Sequence, residues 1–121
     1  MRKDHHLRRL VIGEETWLWS VRHKHPECRE ILSLHHDATR ATVRIVFRDR
    51  PGRLVPDGLL HSGAVGARNR GVLNLHEPGV VRRIFDELAS QGHLPAPAKE
   101  QELDGWPLYD ALVAHEDNGT R

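Results

Sequence analysis

The sequence predicts a single α+β domain, an antiparallel meander of five or six strands followed by two C-terminal helices packed on one face of the sheet. Three observations carry this. Residues 41–48 alternate apolar and polar side chains, residues 78–89 change to a helical spacing, and a run of strand-like segments through residue 75 precedes the helical ones rather than alternating with them. A chain of 121 residues with 38% apolar and 29% charged side chains is long enough to bury roughly two-thirds of its unfolded surface around one core.

The first strand is predicted around Leu10-Val11-Ile12, closed by the turn residues Gly13-Glu14-Glu15. Trp17, Trp19 and Val21 then alternate with Leu18, Ser20 and Arg22 to make a second strand. Pro26 suits a turn and cannot donate within a central strand, so His25-Pro26-Glu27-Cys28 separates this strand from a third at about 29–35. After Asp37-Ala38-Thr39-Arg40, the fourth strand carries Ala41, Val43, Ile45 and Phe47 on one face and Thr42, Arg44, Val46 and Arg48 on the other.

Pro51-Gly52 and Pro56-Asp57-Gly58 bracket a short loop, after which 59–65 and 71–75 read as a hairpin. From Pro78, the positions of Val80, Val81, Ile84, Phe85, Leu88 and Ala89 form one helical stripe, with Pro at the start and Gly92 just past the end. Pro95-Ala96-Pro97 stops the chain from continuing as helix. Glu100 to Leu103 reads as a short edge strand, and Asp104 is placed to cap a last helix bearing Trp106, Tyr109, Leu112 and Val113. Residues 1–7 and 115–121 are expected to fray. The buried positions are expected to include Trp17, Trp19, Trp106 and Tyr109.

One cysteine, Cys28, permits no internal disulfide, and neither a leader-like h-region nor an apolar run of membrane-spanning length occurs. A cytoplasmic, non-membrane protein is the expectation. Residues 1–53 carry 12 Lys/Arg and 7 Asp/Glu, whereas residues 54–121 carry 6 and 10, so the near-neutral total hides a basic and an acidic part. Such a division either marks a basic face for an anionic partner or is offset when the two parts fold together, and the second is the simpler reading.

Ten histidines are the compositional oddity. His23, His25 and Cys28 flank one turn and offer two imidazoles and a thiol, plausible zinc ligands, although no second Cys/His pair completes a set of four. If Pro26-Glu27 is a two-residue turn, His23 faces Glu30 and His35 faces Leu18, which leaves His35 and His36 badly placed to help. The simpler reading is a solvated strand end.

In the later hairpin, pairing Val65 with Val72 would set His61 opposite His76, a pair able to bind a metal, share a proton or hold an anion. A shift of one residue would destroy the pairing, and a stacked, structural pair is the simpler reading. Arg68 and Arg70 in the loop between them offer an anion clamp or a plain solvated tip. Asp57, His61 and Ser62 suggest a triad, but adjacent strand residues point to opposite faces, so Ser62 and His61 cannot pair directly.

Arg44 and Arg48, sharing the wet face of the fourth strand, form the other candidate binding surface, with Arg2, Lys3, Arg8, Arg9, Arg50 and Arg53 as further cations. Nucleic acid is not the expected partner, because the wet face lacks aromatic residues for base stacking. Taken together, the residues point to a binding or accessory protein whose sheet docks a protein partner or its own copy. The alternative is a small histidine-centred enzyme or metal-binding protein acting on an anionic small molecule at His61 and His76. No cofactor is expected under the first reading and a divalent metal such as zinc under the second.

Overall fold

The computed structural model describes residues 7–24, 27–56, 62–68 and 70–119, with side chains through Ala114. The β-strands β1 (Arg8–Ile12), β2 (Glu15–Lys24), β3 (Arg29–His36) and β4 (Ala41–Arg48) form the expected antiparallel meander. The chain then builds a three-stranded sheet from β5 (Arg53–Leu54), β6 (Ala64–Ala67) and β7 (Val72–Asn74), followed by helix α1 (Pro78–Ser90), strand β8 (Glu100–Asp104) and helix α2 (Trp106–Gly119).

The large sheet has the order β1-β2-β3-β4-β8, and β8 runs parallel to β4. The sheet is therefore mixed, not purely antiparallel as the sequence suggested. The cause is the long connection: with the small sheet and α1 between β4 and β8, the chain returns to the starting end of β4 before pairing, as parallel neighbours require. The parallel neighbour also makes β4 an interior strand, which accounts for Val46 being buried on the polar side of its alternation.

Strand pairing defines two faces. The inner face carries Leu10, Trp17, Trp19, Leu32, Leu34, Val43, Ile45 and Phe47, and these join Val81, Ile84, Leu88, Trp106, Tyr109 and Leu112 of the helices in one hydrophobic cluster. Both helices therefore cover the inner face, as the pattern predicts. Trp17, Trp19 and Trp106 are core residues at 3%, 1% and 2% exposure.

Helix α1 starts on Pro78 and ends in a Schellman arrangement, in which Gly92, at φ 74°, lets His93 N–H reach the Leu88 carbonyl at 2.9 Å. At the start of α2, Gly105 takes the N-cap position, and Asp104, one residue before it, accepts the Trp106 N–H with its carboxylate at 3.1 Å. The helical backbone of α2 continues past His115 to Gly119. No helix among the described residues is long and apolar enough to cross a membrane.

Arg53 ties the small sheet to α2. Its guanidinium binds the Asp110 carboxylate through both terminal nitrogens, at 2.7 and 2.9 Å, and lies over the Trp106 ring at 4.9 Å. The hydrogen bonds from Arg53 hold the Asp110 carboxyl below its ordinary value. A carboxyl whose folded pKa is lowered adds stability above its unfolded pKa, about 4, and loses that contribution as pH falls through the folded value. Asp110→Asn is thus expected to flatten the acid side of the stability curve below about pH 4. At neutral pH it should cost on the order of 1 kcal/mol or less, because the pair is partly exposed. Urea unfolding at a series of pH values measures both effects.

Candidate functional site

The outer face of the large sheet, opposite the helices, is built from residues of the other parity. Among the described residues, the cluster joining helices to sheet uses inner-face positions only, so neither helix packs its apolar stripe on the outer side. Cross-strand pairing arranges that face in rows. Leu18, His35, Thr42 and Glu100 form one row; Ser20, Ser33, Arg44 and Glu102 the next; then Arg22, Ile31, Val46 and Asp104; and finally Lys24, Arg29 and Arg48.

The acidic residues of β8 neutralise one side of this surface. Arg44 pairs with Glu100 at 3.3 Å, Arg48 with Glu102 at 3.0 Å, and Arg50 with Asp104 at 3.3 Å. Each pair joins the basic first part of the chain to the acidic second part, so the simpler reading of the charge division holds along this edge. Arg44 and Arg48 share the face the sequence assigns them, and each already has a carboxylate partner.

The far row differs. Lys24 stands opposite Arg29, and Arg29 opposite Arg48, which places three cations side by side on adjacent strands. Like charges directly opposite in a sheet repel. Only Arg48 of the three makes an ion pair among the described residues. Arg29 Nε is buried and has no hydrogen-bond partner among the described residues. A groove of about 380 Å³ beside this row is lined by Glu27, Cys28, Arg29, Arg48 and Asp49. No protein-family model, curated protein or solved structure matches the chain.

The histidines are distributed differently from the expected sites. The β2–β3 register agrees with the two-residue-turn reading: His23 faces Glu30 and Leu18 faces His35. His23 Nδ1 pairs with Glu30 Oε1 at 2.7 Å, and Cys28 packs against the inner core. His25 lies outside the described residues. Among the described residues, no group of three or more His, Cys, Asp or Glu is placed to hold a metal. His35 bonds Thr42 Oγ1 at 2.8 Å, and His36 bonds Thr39 Oγ1 at 2.8 Å while stacking on Trp17.

The later hairpin corrects the expected register by one residue. Val65 pairs with Leu73, and Gly66 with Val72, so His76 meets residue 62 rather than 61. Ser62 Oγ lies 3.3 Å from His76 Nε2, while His61 and Asp57 lie outside the described residues. Gly63, at φ 86°, presses its backbone beneath the His76 ring; a Cβ there would stand 2.4 Å from Cδ2. The shift arises at the loop, where Arg70 N–H bonds the Ala67 carbonyl and closes a turn one residue later than the pattern suggested. Arg68 and Arg70 are both exposed, and just past them Tyr109 donates its hydroxyl to the Gly71 carbonyl. Burial raises the Tyr109 pKa, which keeps this phenol in its donor form.

Glu30 is the residue that sequence reasoning undervalued. It is fully buried, and its second oxygen accepts the Gly63 N–H at 2.7 Å. One side chain thus joins the β2–β3 ladder to the start of β6. The signal was its parity: Glu30 shares the apolar stripe of Leu32 and Leu34. Arg29 and Lys24 were also overlooked, although the same turn that pairs His23 with Glu30 pairs them.

Proposed function

We propose that the chain is a non-enzymatic binding protein that docks an acidic protein partner on the outer face of its five-stranded sheet. The observation that carries this reading is the Lys24–Arg29–Arg48 row on a face the helices leave uncovered. Three cations held directly opposite one another repel, and a carboxylate-bearing surface laid across the row relieves that repulsion and is steered by it. Arg9 and Val11 of β1, exposed on the same face, extend the surface toward the β1 end of the sheet. A polyphosphate chain fits less well. Among the described residues the outer face has no Trp, Tyr or Phe to stack a base, and Glu100, Glu102 and Asp104 run along one side of it.

Carbodiimide coupling tests this reading by position, since it joins a lysine amine to a carboxylate in contact with it. In a cell extract, Lys24 is expected to form the dominant adduct with another protein, well above Lys99, which is exposed near the start of β8. Coupling of Lys24 to a second copy of this chain would identify the partner as the protein itself. Equal coupling at Lys24 and Lys99, or none at Lys24, would contradict the proposal.

A further inference from the structure

The groove beside the basic row has a narrower chemistry than the face as a whole. We infer that it is a carboxylate seat, in which Arg29 and Arg48 grip an aspartate or glutamate side chain of an acidic peptide segment. The inference rests on the docking role proposed above and names the group that enters.

The cations lie where a shared anion would sit. Arg29 and Arg48 are directly opposite on adjacent strands, a spacing that sets their Cβ atoms about 5 Å apart. Arg48 reaches Glu102 through a single terminal nitrogen at 3.0 Å, while the buried Nε of Arg29 has no acceptor among the described residues. A buried guanidinium N–H without an acceptor is unfavourable. A planar carboxylate is the natural complement, because the guanidinium fork offers parallel N–H groups at matching spacing. Lys24, next in the row, adds charge without fixing direction.

The rim selects among anions. Glu27 and Asp49 line the same groove, so a dianionic phosphate would meet two like charges where a carboxylate brings a single one. The volume, about 380 Å³, lies near the lower end of ligand pockets, which run from roughly 300 to 1,000 Å³. It suits an inserted side chain better than a nucleotide. Continuity with the uncovered outer face lets the rest of an acidic segment run on past Arg22.

The test is a backbone-amide NMR titration with a capped hexaglutamate peptide, repeated with inorganic phosphate and with a short single-stranded oligonucleotide. Hexaglutamate is expected to shift the amides of residues 27–29 and 48–49, with an affinity that falls as salt rises. Arg29→Gln should weaken it about tenfold or more, and Lys24→Gln by a smaller factor. Phosphate at matched ionic strength should leave these amides nearly unmoved.

An unchanged affinity in Arg29→Gln would overturn the inference, as would hexaglutamate shifts confined to other residues. Tighter binding of phosphate or of the oligonucleotide at these amides would overturn it too, by naming a different anion. The two fail separately: coupling at Lys24 with an unchanged hexaglutamate affinity in Arg29→Gln would leave the docking face standing and remove the seat, whereas Lys24 coupling no stronger than Lys99 coupling would remove the docking face itself.

Discussion

Glu30→Ala is expected to lose roughly 3–5 kcal/mol of stability, a fall in Tm on the order of 10–15 °C for a domain of this size. The carboxyl group is wholly buried, and it accepts the Gly63 N–H while pairing with His23, both at 2.7 Å. Its removal strands a buried backbone donor, takes the partner from an imidazole and opens a void facing Phe47, its neighbour on β4. Glu30→Gln separates these causes. A glutamine oxygen can still accept from Gly63 while its amide donates to His23 Nδ1, so this variant should retain most of the stability. Thermal and urea unfolding of both variants measure the difference. Equal losses would mean that the negative charge, and not the hydrogen bonding, holds β6 against the sheet.

The second large effect is expected at Gly105. A Cβ built there stands 2.5, 2.6 and 2.7 Å from three ring atoms of Phe47, which is itself fully buried and packs edge-on against Trp106 at 5.1 Å. The ring has no room to retreat, and the Gly105 backbone is held by its N–H bond to the Val46 carbonyl at 2.8 Å. Gly105→Ala should therefore cost about 3 kcal/mol through overpacking. Shortening the ring in Gly105→Ala/Phe47→Leu relieves the clash, so the double variant should be less destabilised than the two single losses added together. Additive losses in urea unfolding would show that Gly105 matters for another reason.

These two positions also show what the sequence reveals and what it conceals. The alternation of 41–48 marks β4, and the stripe of Val81, Ile84 and Leu88 marks α1, because each pattern is a direct image of one buried face. A turn predicted at Pro26-Glu27 implies the β2–β3 register that is found, with Glu30 against His23. It does not reveal that Gly63, far along the chain, supplies the second partner.

The direction of β8 is hidden for a similar reason. Glu100 to Asp104 alternates identically whether read parallel or antiparallel, and only the path of the preceding connection decides. The later hairpin misled because its loop is rich in glycine and arginine, with no side-chain pattern to pin the register, and one residue moved His76 from position 61 to Ser62. The candidate site was legible only as scattered cations. Arg44 and Arg48 stood out by alternation, whereas the row of three adjacent cations needs two registers at once, β2 with β3 and β3 with β4.

The most direct test of the docking face compares partner recovery by the wild type, by Lys24→Glu/Arg29→Glu, and by Arg68→Glu/Arg82→Glu. The last pair makes an equal change in net charge at exposed residues of the β6–β7 loop and of α1. The account predicts that the Lys24/Arg29 reversal abolishes recovery while the Arg68/Arg82 reversal retains it, with all three proteins equally folded by circular dichroism. Recovery that survives reversal at Lys24 and Arg29, or that falls equally with both pairs, would contradict it.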